Sequence, residues 1–89
     1  MDKMIIVPLN LFSLNQCILI SDENGARDFA HVELNHLPEV LVETANVHST
    51  NNIRLIGNKN YAEALLNEIK EYAIQNYADN NLNITIMEV

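Results

Sequence analysis

The chain has 89 residues, of which 48% are hydrophobic and 19% are charged. This length fits one small domain spanning residues 1–89, and the apolar content excludes a disordered tail or a low-complexity fibre. Twelve acidic residues against five basic ones give a net charge of -7. Because phosphate contacts from Lys and Arg dominate nucleic-acid affinity, we expect no unaided binding to DNA or RNA, and no binding to an anionic membrane surface.

The first third of the chain is predicted to form three strands. Alternating apolar residues indicate a first strand over residues 4–11, in which Pro8 favours an edge strand or a bulge near the strand's end. A second strand over residues 16–21 runs into Asp22-Glu23-Asn24-Gly25, whose Asn-Gly pair is typical of a hairpin turn. A third strand over residues 28–34 is therefore expected to pair back on the second.

The hydrophobic period then changes to that of a helix. Pro38 and Glu39 are favourable in the first turn of a helix, and this helix is predicted to end near His48. Its predicted apolar stripe consists of Leu37, Val40, Leu41 and Ala45. A compact fourth strand over residues 53–56 follows and ends at Gly57.

A second and longer helix is predicted from about Tyr61 to Tyr77. Asn60 and Glu63 stand at the spacing of a capping box that would open it. Its predicted buried face consists of Ala62, Leu65, Leu66, Ile69 and Ala73, with Leu66 and Ile69 as the most costly positions to truncate.

A last strand over residues 82–87 completes the order strand, strand, strand, helix, strand, helix, strand. Right-handed crossovers would lay the fourth and fifth strands parallel to the first. The predicted fold class is α/β (α+β), a mixed five-stranded sheet with two helices in the layout βββαβαβ. This layout resembles a ribonuclease H-like fold in its shortest form.

One local stretch adds to the resemblance, namely Leu55-Ile56-Gly57-Asn58-Lys59-Asn60-Tyr61. Asn58 stands where ribonuclease H has a catalytic Asp, and the first strand offers Asn10 for the family's first Asp. Either Glu39 or Glu43 could match the family's helical Glu. The resemblance implies two Mg²⁺ ions held by several carboxylates, and amides at two positions would leave that site without most of its charge. We therefore predict the fold without the nuclease, with no catalytic residues, no metal site and no cofactor.

The polar residues Asn10, Glu39, Asn58 and Lys59 are retained as a candidate binding cluster. Glu39 and Glu43 are more simply interpreted as first-turn partners of the helix dipole on a solvated face. The histidines His31, His36 and His48 lack a zinc-site spacing. With two glycines in the chain, no glycine-rich phosphate loop exists.

The single Cys17 lies in an apolar run and cannot form an internal disulfide, which favours an inert buried thiol in a reducing compartment. Residues 1–10 lack the long apolar region of a signal peptide, and no apolar stretch approaches the roughly 20 residues that cross a bilayer. These features predict a cytoplasmic protein without a membrane partner.

Two classes of function fit these expectations. The first is a small acidic protein-binding module, acting as an inhibitor or adaptor from a phage or other mobile element. The alternative is an inactive or conditional subunit of a nuclease or nucleic-acid-processing system, and an independent enzyme ranks third. The acid excess favours solubility over an acidic surface directed at a basic partner. A homo-oligomer is also expected, because a chain this short gains stability by burying its first or last strand against a second copy.

Overall fold

The computed structural model describes residues 3–9, 12–13, 15–78 and 81–89. The elements in chain order are β1 (Lys3–Pro8), β2 (Phe12–Ser13), β3 (Gln16–Glu23), β4 (Ala26–Glu33), α1 (Leu37–Val47), β5 (Asn52–Gly57), α2 (Lys59–Tyr77) and β6 (Asn83–Glu88), with a 3₁₀ turn (Leu34–His36) leading into α1. Five long strands and two helices confirm the predicted α/β layout. Neither helix is long and apolar enough to cross a membrane, as far as the described residues go.

The five long strands lie side by side in the order β4-β3-β1-β5-β6. The strand β1 is antiparallel to β3 and parallel to β5, and β6 is parallel to β5. The prediction that the last two strands run parallel to the first is therefore confirmed. The prediction that the first strand could be an edge is wrong, because β1 has a hydrogen-bonded neighbour on each side; the edges are β4 and β6.

Pro8 is the last residue of β1 and lies beyond the point where the pairing with β3 ends, whereas residues 10 and 11, on which the predicted bulge depends, lie outside the described residues. Ile6 pairs with Ile20, and Phe12 pairs with Cys17. Six residues of the first segment thus advance against three residues of β3, so the regular pairing with β3 is interrupted between Ile6 and Phe12. A proline fits there because it removes a ladder donor where pairing is already broken.

The β3–β4 hairpin turns at Asn24 and Gly25, as predicted. Both residues have positive φ values, 55° and 91°, which a two-residue turn of type I′ requires. Asp22 accepts a hydrogen bond at Oδ1 from the Gly25 backbone N–H (3.1 Å) and at Oδ2 from Arg27 Nε (2.6 Å). These contacts extend the pairing to Glu23 and Ala26, beyond the predicted strand ends.

Both helices pack on one face of the sheet. The crossovers β4-α1-β5 and β5-α2-β6 step in the same direction across the sheet, and connections of one hand then place their helices on one side. The helices contact each other as well as the strands beneath. Among the largest fully buried side chains between them are Ile5, Leu37, Leu41, Ile53, Leu55 and Ile69.

Two predictions about the helices need correction. Helix α1 buries Val42, which was not predicted, whereas Val40 is half-buried. Helix α2 buries Ala62, Leu65, Ile69 and Ala73. Leu66 is half-buried at the margin of that face and Leu65 is the buried leucine, so we now expect truncation of Leu65 to cost more than truncation of Leu66.

Candidate functional site

The position that the ribonuclease H resemblance assigns to a catalytic Asp holds a helix cap. Asn58 has extended backbone angles, and its Oδ1 accepts a hydrogen bond from the Tyr61 backbone N–H at 3.1 Å. The predicted capping residue, Asn60, instead lies within the first turn of α2. The chain leaves β5 at Gly57 and enters the helix at once, so the earlier asparagine is the one that meets the free N–H groups.

The other members of the predicted polar cluster are placed as follows. Lys59 Nζ lies 4.0 Å from Glu63 Oε1 on the exposed side of α2. Glu39, in the first turn of α1, borders a shallow cleft beside β4 together with His31 and His36. Asn10 lies outside the described residues. The cluster thus stays a prediction, with one member used as a cap and one in a surface ion pair.

The carboxyl ends of the parallel strands would hold the acids of a nuclease. The residues that follow β1, β5 and β6 there are Leu9, Asn58 and Val89, and the last residue of β6, Glu88, is the one acid that ends any of these three strands. No group of three or more His, Cys, Asp or Glu side chains could hold a metal ion in the part of the chain that the structure describes. Cys17 is buried, and this burial raises the pKa of its thiol, which keeps it protonated and unreactive near neutral pH.

The sheet face opposite the helices carries a second apolar surface. One cross-strand row, read from β4 to β6, consists of Phe29, Ile20, Ile6, Arg54 and Thr85. The next row, read from β1 to β6, consists of Pro8, Ile56 and Met87. We call these two rows, with Ile18 and His31 beside them, the helix-free face. No described helix packs against it.

The middle of the helix-free face is closely packed. Ile6 is only 9% exposed and Pro8 is buried, whereas Ile20 on the neighbouring strand is half-buried. Towards the two sheet edges the side chains stand free, with Phe29 66% and Met87 47% exposed. The helix-free face therefore has a closely packed apolar centre and large exposed side chains at its margins.

Arg54 is the charged group within the two apolar rows. It is half-buried and lies beside Ile6 on one strand and Thr85 on the other. No carboxylate of the described residues lies within ion-pair distance of its guanidinium. A cation that lies inside an apolar surface and has no carboxylate partner among the described residues is a specific feature that a binding protein could satisfy.

The acid excess of the chain avoids the helix-free face. By strand register, this side of the sheet holds two acids, Asp22 and Glu33, and two bases, Arg27 and Arg54. The other described residues include eight acids and three bases, and the remaining two acids, Asp2 and Asp79, lie outside them. Among the described residues, the excess of negative charge therefore lies on the helix side of the sheet and at the ends of the molecule.

No protein-family model matches the chain, and neither a curated protein nor a solved structure shows significant similarity to it. The ribonuclease H-like assignment consequently stays a prediction from the element layout and the stretch around Asn58. The helix-free face was not predicted. The sequence of β3 places Ile18 and Ile20 on one side and Cys17 and Leu19 on the other, but only the crossover directions decide that both helices cover the side of Cys17 and Leu19.

Proposed function

We propose that this protein is a small, non-catalytic binding module. Its helix-free face would dock on an apolar surface of a partner protein that presents a carboxylate to Arg54. The observation that carries this proposal is an apolar, net-neutral sheet face on a chain whose net charge is -7. By covering part of its partner's surface, such a module would serve as an inhibitor or adaptor. An origin in a phage or other mobile element belongs to the same proposal.

The composition of this face supports a protein partner. Interface centres are depleted in charge and enriched in aromatic side chains, Met and Arg. Phe29, Met87 and Arg54 are residues of that kind, and the half-buried Ile20 and Ile56 lie beside them on this face. Contiguous exposed apolar surface on a small domain commonly marks an interaction site.

Arg54 supports the chemistry assigned to the partner. Covering the face would remove water from a guanidinium that has no carboxylate of the described residues beside it, which is costly unless the partner supplies one. A matched Asp or Glu would offset that cost and fix the orientation of the complex. A partner with a basic patch at this point would be rejected.

The cap at Asn58 supports the non-catalytic part of the proposal. Its side-chain oxygen is already engaged by the Tyr61 N–H, so the amide has a structural role at the position in question. Incubation with RNA-DNA hybrid and Mg²⁺ is expected to give no cleavage. Turnover that disappears in Glu39→Gln would contradict the proposal.

Site-specific photo-crosslinking in the native host tests the binding surface. A benzoylphenylalanine replaces Phe29 on the helix-free face in one variant and Ile74 on the helix side in another. The two positions are similarly exposed, 66% and 53%, which makes them a matched pair. We expect a discrete crosslinked protein from position 29 and none from position 74.

Charge reversal then tests the role of Arg54. Arg54→Glu is expected to abolish the crosslink at position 29, whereas Lys70→Glu, an exposed change of the same charge on α2, leaves it intact. The proposal fails if position 29 gives no crosslink, if position 74 captures the same protein equally, or if the two charge reversals have equal effects.

A further inference from the structure

The sheet has two edges, and they differ in charge. The edge strand β4 carries Arg27, Asp28, His31 and Glu33, and charged side chains are a common protection against edge pairing. The edge strand β6, with the sequence NITIME, has no charged residue before Glu88. Of the two edges, β6 is therefore the one open to another strand.

The backbone of β6 presents a defined set of hydrogen-bonding groups. The Asn83 N–H donates to the Asn51 carbonyl oxygen at 2.7 Å, so Asn83 points its backbone groups inward, toward β5. Because these groups alternate along a strand, those of Ile84 and Ile86 point outward. Their side chains face the helices and are half-buried, packed at the margin of the core.

We infer that β6 pairs antiparallel with β6 of a second copy of this chain, with Thr85 on the two-fold axis. In this register each outward-facing Ile84 meets Ile86 of the partner copy, and the two exchange both backbone hydrogen bonds. The side-chain sequence Ile-Thr-Ile reads the same in both directions, which gives the self-complementarity that an isologous interface requires.

This register is compatible with the positions of the helices and of the charged residues in each copy. A two-fold axis normal to the sheet keeps both helix layers on one side and forms one continuous sheet of ten long strands. Isoleucines extend the core across the junction, while Glu88 lies outside the Ile84–Ile86 pairs. The helix-free faces of both copies adjoin and remain uncovered, so this dimer is independent of the proposed function.

Cysteine crosslinking tests the register. Thr85→Cys places two thiols on a non-hydrogen-bonded antiparallel pair across the axis, where Cα atoms are about 4.5 Å apart and close enough for a disulfide. Met87→Cys is the matched control, because it lies on the same strand and face but pairs with Asn83 of the partner copy. Cys17 is buried and contributes no background.

Under mild oxidation at micromolar concentration, Thr85→Cys should run as a covalent dimer and Met87→Cys should not. Light scattering of the unmodified chain should give about twice its 10.1 kDa mass. Thr85→Lys, which juxtaposes two like charges, should raise the dissociation constant at least about tenfold. The inference is overturned by a monomer at every concentration, by equal crosslinking of both cysteine variants, or by a dimer that does not crosslink at position 85.

Discussion

The two faces of the sheet are built from the same strands and the same kinds of residue, yet only one is a core. On the helix side, Ile5, Ile53 and Leu55 are at most 1% exposed. On the other side, the neighbouring Ile20 and Ile56 are half-buried and Phe29 stands free. A strand with apolar side chains on both faces is therefore not necessarily buried on both faces, because burial depends on which face the crossover helices pack against.

Neighbouring residues on β5 give the largest expected contrast. Leu55→Ala should lower the free energy of unfolding by about 2–5 kcal/mol, because Leu55 is fully enclosed between sheet and helices. Ile56→Ala, on the helix-free face, should lower the free energy of unfolding by less than half as much. No described helix packs over Ile56, so its truncation leaves no enclosed cavity. Urea unfolding measures both. Equal midpoints would show that the helix-free face is as much a core as the covered one.

Substitutions at the start of α2 test how strongly its N-terminal cap stabilises this helix. Asn58→Ala should cost about 1 kcal/mol, because the first-turn N–H groups lose their side-chain acceptor. Asn58→Asp should preserve or slightly raise stability, because a negative charge favours a helix N-terminus. Asn60→Ala is the control and should change little. The cap assignment is wrong if Asn60→Ala is the more costly of the two alanine variants.

The aromatic residue at the margin of the helix-free face should matter for binding and hardly for folding. Phe29→Ser should shift the free energy of unfolding by no more than about 0.5 kcal/mol, as expected for an exposed site without a special contact. Thermal unfolding and circular dichroism check this. A loss comparable to that of Leu55→Ala would mean that Phe29 is covered within the folded chain, which would remove it as a docking residue.

The smallest expected effect concerns pH. The hydrogen bond from Arg27, aided by the Gly25 N–H, lowers the pKa of Asp22 below its ordinary value of 3.8. The unfolded chain binds the proton first as pH falls, so this pair's stabilisation is complete above the ordinary pKa and disappears as pH falls through the lowered one. The stability difference between the native sequence and Asp22→Asn should therefore shrink on acidification. A difference that is constant between about pH 6 and pH 2 would contradict the ion pair.

Local chemistry made several features predictable from the sequence. Asn24 and Gly25 adopt the positive φ values that their turn demands, and β4 pairs back on β3 as expected. The long helix and its buried Ile69 follow from a period of three and four residues. Each of these depends on residues within a few positions of one another, so the sequence carries the signal directly.

The cap of α2 shows where local reasoning was insufficient. Asn58 and Asn60 are equally good capping residues by type, and Glu63 favoured the second. The helix begins at the first because β5 ends at Gly57 and its sheet neighbours fix where the chain leaves the strand. The candidate catalytic position thereby acquired a structural role that spacing alone did not reveal.

The sequence by itself determined the element order, the mixed α/β class and the acidic charge. Only the tertiary structure decided that β1 is central, that β6 lies at an edge of the sheet and that both described helices lie over the same sheet face. The physical reason is that strand order and crossover direction arise from contacts between residues far apart in the chain. A strand's own residues record which way its side chains alternate, but not what lies across from them.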